Sequence, residues 1–234
     1  DDYSIASRLS YFLWSTMPDE KLLLLAQKGR LSKPSNLKKQ VERMLNHPNA
    51  ENFVKNFSDN WLNLRDIDFT TPDTKLYPEF DDILKHSMLG ETYAFMQELI
   101  DEDLSVSNVI DSDFAMLNER LAQHYGINEF TGSDYQKTAL NAKHHRGGII
   151  TQGSVLKVSA NGTTTSPVIR GVWLLERILG ERISPPPDNA GSVEPDIRGA
   201  ISIRDQLDKH RSTKSCMACH KKIDPPGFAL ESFD

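Results

Sequence analysis

The pentapeptide Cys216-Met217-Ala218-Cys219-His220 holds both cysteines of this 234-residue chain, and no other stretch restricts the fold as much. Cys-x-x-Cys-His is the attachment signal for c-type haem. Two thiols so spaced can each close a thioether bond to a haem vinyl group, and the adjacent imidazole then falls under the macrocycle, where it can bind iron. Cys216, Cys219 and His220 are therefore the expected cofactor-binding residues for one covalent haem c, with His220 as the proximal iron ligand.

Other uses of a cysteine pair fit less well. A structural zinc site needs four ligands, usually as two separated pairs, and no second cysteine pair exists. A thioredoxin-like redox pair belongs near a βαβ pattern. The flanks, Lys214-Ser215 and Lys221-Lys222-Ile223-Asp224-Pro225-Pro226-Gly227, show no such strand. A disulfide between cysteines this close would close a tiny loop and stabilise little.

Ahead of the pentapeptide the chain reads as helical. Ile5, Leu9, Phe12 and Leu13 share one face of a helix over 3–14, and Ser15-Thr16-Met17-Pro18-Asp19-Glu20 starts the next, which ends near Gly29. Leu37, Val41, Met44 and Leu45 predict a helix over 34–46, broken by His47-Pro48. Phe53, Phe57, Trp61 and Leu64 follow at three- and four-residue spacing, which predicts a buried helix face. After a loop at 65–80, Leu84, Met88, Phe95 and Leu99 mark a long helix over 80–100, and Asp101-Glu102-Asp103 ends it. Asp111-Ser112-Asp113 is expected to cap a short helix through Met116, Leu117, Leu121 and Tyr125, closed by Gly126. No period-two strand emerges, so 1–126 is expected to be an all-α domain.

Residues 127–234 form the second expected domain, which carries the haem. Glycines punctuate 127–165, and the β-branched pieces Gly148–Thr151 and Ser154–Val158 suggest a hairpin or an irregular loop. Ser166 as cap and Pro167 at the first position start a helix through Trp173, Leu174, Leu175, Ile178 and Leu179, with Gly180 as its stop. Pro185-Pro186-Pro187 lies in a stiff connector at 183–199, and a last helix at about 201–213 leads to the pentapeptide. The fold class is thus mainly α: a helical N-terminal domain, then a smaller, glycine- and proline-rich, mostly helical c-type cytochrome domain.

Charge and hydropathy narrow the setting. A net charge of −6, with no basic block beyond the pairs Lys38-Lys39 and Lys221-Lys222, argues against nucleic acid as a partner. The longest apolar run, Leu22 to Ala26, is far short of the ~20 residues that span a bilayer, so no transmembrane segment is expected. Haem c is attached after export, which implies a periplasmic or cell-surface location. The chain opens without a start Met or signal peptide and closes soon after the haem motif, so both ends look cut from something longer.

Long stretches carry a family resemblance. They are Arg8-Leu9-Ser10-Tyr11-Phe12-Leu13-Trp14, His145 through Leu156, Asn161 through Trp173, His210-Arg211 and Ile223 through Glu231 around the pentapeptide. In these stretches the chain resembles the planctomycete-type multidomain cytochrome c proteins, across two adjacent domains of unknown function. The resemblance implies a secreted, haem-carrying protein with further domains of the same polypeptide on both sides; no activity is established for that family.

The second axial position decides what a haem can do, since a strong sixth ligand favours electron transfer and an open site admits peroxide or oxygen. His144, His145 and His210 are the candidates. Met217 sits between the cysteines and cannot easily reach the opposite face, while Met88, Met96 and Met116 lie on core stripes. His47 and His124 look structural. Arg146 and Arg170 are candidate partners for haem propionates, and Pro225-Pro226-Gly227-Phe228 is expected to turn and pack Phe228 on the porphyrin. Electron transfer with an unidentified redox partner protein is the expected function. The alternatives are a peroxidase-like haem enzyme, with His145 or His210 as acid–base group, and a helical binding or assembly module in which haem is a passenger.

Overall fold

The structure, a computed structural model, describes residues 1–127, 130–160, 162–163, 166–184, 202–211 and 214–233; the side chains at 203, 206, 210, 214 and 215 lie outside the description. The connector from 185 onward, with Pro185-Pro186-Pro187, is therefore not among the described residues, nor are Asn161, Thr164 and Thr165.

Three short helices open the chain: α1 (Asp2–Trp14), α2 (Glu20–Gln27) and α3 (Pro34–Leu45). Asp19 caps α2, its carboxylate accepting from the Leu22 amide at 3.0 Å. Leu13, Trp14, Leu22, Ala26, Leu31 and Met44 close a small core between these helices. Inside it the Trp14 indole donates to the Met44 carbonyl at 2.9 Å, which satisfies the one polar atom of a buried ring.

Helix α4 (Glu51–Leu62) and the long α5 (Asp82–Asp101) build the main core. The stripe on α4 that its spacing predicts to be buried is so only in part: Leu64, just past the helix, is in the core and Phe53 and Trp61 pack against it. Val54, Ser58 and Leu62 point inward, while Phe57 is 41% exposed and Phe53 and Trp61 are half-buried. Phe53, Phe57 and Trp61 instead stack side by side, with centroids 5.5 Å apart at both steps, and Phe12 of α1 meets the end of the row. A ring row at i, i+4, i+8 satisfies helical spacing as well by packing on itself as by packing into a core.

Two further elements differ from expectation. Residues 114–117 are not helical: Phe114–Leu117 is a strand, β1, paired antiparallel with β2 (Gln136–Ala139), Phe114 facing Ala139 and Leu117 facing Gln136. The short helix α6 (Glu119–His124) starts only after it, capped by Asn118. All four residues of β1 are buried, so no alternation betrays the strand. The glycine-rich piece after Gly148 forms a 3₁₀ turn at Ile149–Thr151 and then helix α7 (Gly153–Val158), not a hairpin. Val155 is buried against the core shared with α5, and that burial outweighs the β-branched composition.

The fold is mainly α, as the periodicity implies. Helix α8 (Pro167–Trp173) begins at Pro167 and runs on as a π-helical turn at Leu174–Ile178, and Gly180 ends it at φ 67°. Ser166 stands at the cap position without a side-chain hydrogen bond among the described residues. Helices α9 (Ile203–Arg211) and α10 (Lys214–Phe228) complete the chain, and α10 carries the pentapeptide.

Candidate functional site

Helix α10 lies against α8 at a distance that only glycine permits. A Cβ at Gly171 would overlap the Ile223 carbonyl, and one at Gly227 would overlap the Pro167 carbonyl, so the two backbones touch at both ends of the contact. The buried guanidinium of Arg170 adds a clamp, its Nη1 donating to the carbonyls of Leu230 at 2.8 Å and Phe233 at 2.6 Å. These contacts account for a difference from the expected turn at 225–228. Pro225 and Pro226 lie inside α10 and deny hydrogen bonds to the Lys221 and Lys222 carbonyls. The helix nevertheless continues to Phe228, because Gly227 is seated on α8.

Three expected haem residues are thereby placed on one helix. Cys216 and Cys219 lie one turn apart, at the spacing that puts side chains on the same face. Both carry thiols, Cys216 half-buried and Cys219 exposed. His220 follows with its side chain 16% exposed. One turn later on α10 lies Asp224, which is wholly buried, and its Oδ1 stands 2.9 Å from His220 Nδ1. Asp224 Oδ2 has no hydrogen-bond partner among the described residues; Arg211 Nη1 of α9 lies 3.7 Å from it. Phe228 does not end in a turn but carries Arg204 over its ring at 4.2 Å and Arg211 at 5.8 Å. Arg204 also pairs with Glu231, and Arg211 with Asp208.

The other candidates lie elsewhere. Arg146 and Arg170 do come together, around a cavity of about 220 Å³ lined also by Tyr125, Lys157 and Phe233, but Cys216, Cys219 and His220 do not line it. The Arg146 guanidinium stacks on Tyr125 at 3.6 Å and donates to the Thr151 carbonyl at 2.7 Å. His145, in left-handed conformation at φ 51°, lines a second, open hollow with Asp111, Asp113 and Arg146. The ring of His144 is engaged in a capping box, where Nδ1 accepts from the Asn141 amide at 3.2 Å. The backbone of His210 lies in α9, and its side chain is outside the described residues. Met88, Met96 and Met116 are buried among apolar side chains. His47 accepts from the Asn49 amide and packs on Trp14.

Sequence reasoning passed over two buried acids. Asp224 was legible in principle, since His-x-x-x-Asp on a helix puts both side chains on one face. Glu91 on α5 gave no such signal. It is buried, accepts from the Tyr125 hydroxyl at 2.6 Å, and Tyr125 in turn accepts from the Gly153 amide at 2.7 Å. Desolvation pushes the Glu91 carboxyl up to about 7, against the opposing pull of Tyr125 and Arg146. Burial also raises the Tyr125 hydroxyl, and it lowers His124 and Lys157.

The chemistry available on α10 is narrow. Two thiols on one helical face are nucleophiles for two neighbouring electrophilic carbons, and an imidazole held at Nδ1 offers Nε2 to a metal. A macrocycle that brings four of its iron's ligands needs only this from the protein. Among the described residues, no group of three or more His, Cys, Asp and Glu side chains stands close enough to hold a bare metal ion.

Fold and site together define a mainly α chain ending in a helix that bears a paired-thiol and histidine motif. The family model PSD4, a protein of unknown function (DUF1592), matches residues 1–127, more than half the chain, and the protein belongs to that family. Residues 146–234 match a second model, PSCyt3, also a protein of unknown function (DUF1588), so the two domains are adjacent in one polypeptide. No curated protein and no solved structure matches the chain. Among the described residues, no helix is long and apolar enough to cross a membrane.

Proposed function

We propose that α10 carries one covalent haem c and that the protein is an electron-transfer module working outside the cytoplasm. One observation supports this best: Cys216, Cys219 and His220 are consecutive chemical handles on a single helix, and a buried carboxylate orients the histidine. When bound, the haem supplies a one-electron couple. Cys216 and Cys219 would hold it through thioether bonds to the two vinyl groups, each thiol hydrogen passing to the vinyl's terminal carbon, so attachment would need no external oxidant. His220 would hold the iron through Nε2, with Asp224 at Nδ1. The backbone contact through Gly171 and Gly227 keeps the helix fixed against α8, so the ligand does not need to reorganise when charge changes. The placement outside the cytoplasm follows from attachment after export, and a redox partner protein is implied.

A second reading, a haem enzyme of peroxidase type, draws support from the same Asp224–His220 pair, because a carboxylate raises the basicity of the histidine and favours oxidised iron. Optical and paramagnetic spectroscopy of the purified holoprotein separates the two. Low-spin, six-coordinate iron agrees with the carrier. High-spin iron that binds cyanide and turns over peroxide overturns it in favour of the enzyme. Replacing His144, His145 and His210 one at a time then identifies a protein-derived sixth ligand by loss of the low-spin spectrum.

A further inference from the structure

Asp224 has no obvious reason to be buried. A carboxylate removed from water is unfavourable unless it is paired and hydrogen-bonded, yet on α10 it meets only one described partner at hydrogen-bond distance, His220 Nδ1 at 2.9 Å. Its other oxygen is left with Arg211 Nη1 at 3.7 Å, beyond hydrogen-bond reach. A plain solubilising acid would face solvent, and a helix cap would stand at the first turn; Asp224 does neither, being wholly buried in the last third of a helix where two prolines follow. The arrangement resembles the outer shell of a metal site, in which a carboxylate accepts the N–H of a ligating imidazole and thereby selects its tautomer, its ring orientation and its basicity.

We infer that Asp224 is the positioning residue of this site: it holds His220 as the tautomer with its proton on Nδ1 and Nε2 unprotonated, and it lowers the reduction potential of a haem bound there. The second half rests on the proposed haem attachment; the first does not. The sign follows from charge. A carboxylate on Nδ1–H makes the imidazole a stronger electron donor, and a buried negative charge near the iron favours the oxidised, more positive state of a one-electron couple. Arg211 lies on the far side of the carboxylate and counters part of this effect, which makes it the internal control.

Two measurements test the inference. In the apoprotein, long-range proton–nitrogen NMR correlation on ¹⁵N-histidine-labelled material reports the tautomer of the neutral His220 ring. Nδ1–H is expected in the wild type and a shift towards the ordinary Nε2–H mixture in Asp224→Asn; an Nε2–H ring in the wild type overturns the positioning role. In the holoprotein, spectroelectrochemical titration is expected to show Asp224→Asn shifted upward by about tenfold in the redox equilibrium, which is about 59 mV for one electron, with covalent haem content unchanged. Arg211→Gln is expected to shift the other way. An unchanged or lowered potential in Asp224→Asn overturns the second half, as does a rise in Arg211→Gln equal to that of Asp224→Asn, the mark of a merely structural disturbance. If the wild type carries no covalent haem, the attachment proposal fails, while the tautomer measurement still decides the role of Asp224.

Discussion

Outside the α10 motif, the buried carboxyl of Glu91 is one group through which pH acts on stability, beside His124 and Lys157. Glu91 holds its proton up to about 7 in the folded state against 4.5 for an ordinary glutamate, because burial disfavours the charge. Between those values the folded protein binds a proton that the unfolded chain has released, so stability falls as pH rises through that window and is level above it. The penalty is roughly 3 kcal/mol. Glu91→Gln keeps an oxygen for the Tyr125 hydroxyl and removes the charge. It is expected to match the wild type in chemical denaturation below pH 4.5 and to be more stable by up to that amount above 7. Equal slopes for both proteins across the window would show that Glu91 titrates normally.

Between elements, the glycine contact of α8 with α10 is the structural condition for the site. Gly171→Ala or Gly227→Ala places a methyl group against a backbone carbonyl that cannot rotate away. Separation of the helices is expected to cost about 2 kcal/mol, read as a lower thermal midpoint. An unchanged midpoint in both variants would mean that the helices tolerate separation. The same scale shows what the sequence could and could not reveal. Helices α1 to α5 were legible because apolar side chains recur along each at helical spacing, even where some of them, such as Phe12 on α1 and Phe57 on α4, end up exposed. The strand β1 was not, since Phe-Ala-Met-Leu is buried on both faces and its partner Gln136–Ala139 is largely exposed, leaving neither strand a period. The prolines at 225 and 226 signalled a turn, and a contact distant in sequence, from α8, overrode them. The paired-thiol and histidine motif was legible because its spacing is local, whereas the burial of Asp224 and the approach of Arg211 on α9 depend on packing between distant stretches.

Across the whole molecule, tryptophans join the region matched by the first family model to that matched by the second. The buried Trp173 indole donates to the Leu62 carbonyl at the end of α4 at 3.0 Å, and Trp61 donates to the Arg177 carbonyl at 2.7 Å. Apolar residues from both regions also share one core, in which Val54, Phe95, Val155 and Trp173 meet. Trp173→Phe keeps most of the buried ring and strands a buried carbonyl, so a loss of about 1–3 kcal/mol is expected. It should appear as a single cooperative transition at lower denaturant, because the shared core couples the two regions. A transition split into two would show that they fold independently.

The haem on α10 is the claim from which the functional account follows. Its most direct test is the mass and absorption of the protein, produced in a bacterium equipped for c-type haem maturation and then extracted with acid–acetone. The expected result is a wild-type polypeptide heavier by one haem and still coloured, and a Cys216→Ala/Cys219→Ala variant that has lost both. A wild-type chain with the bare polypeptide mass and no retained colour would contradict it.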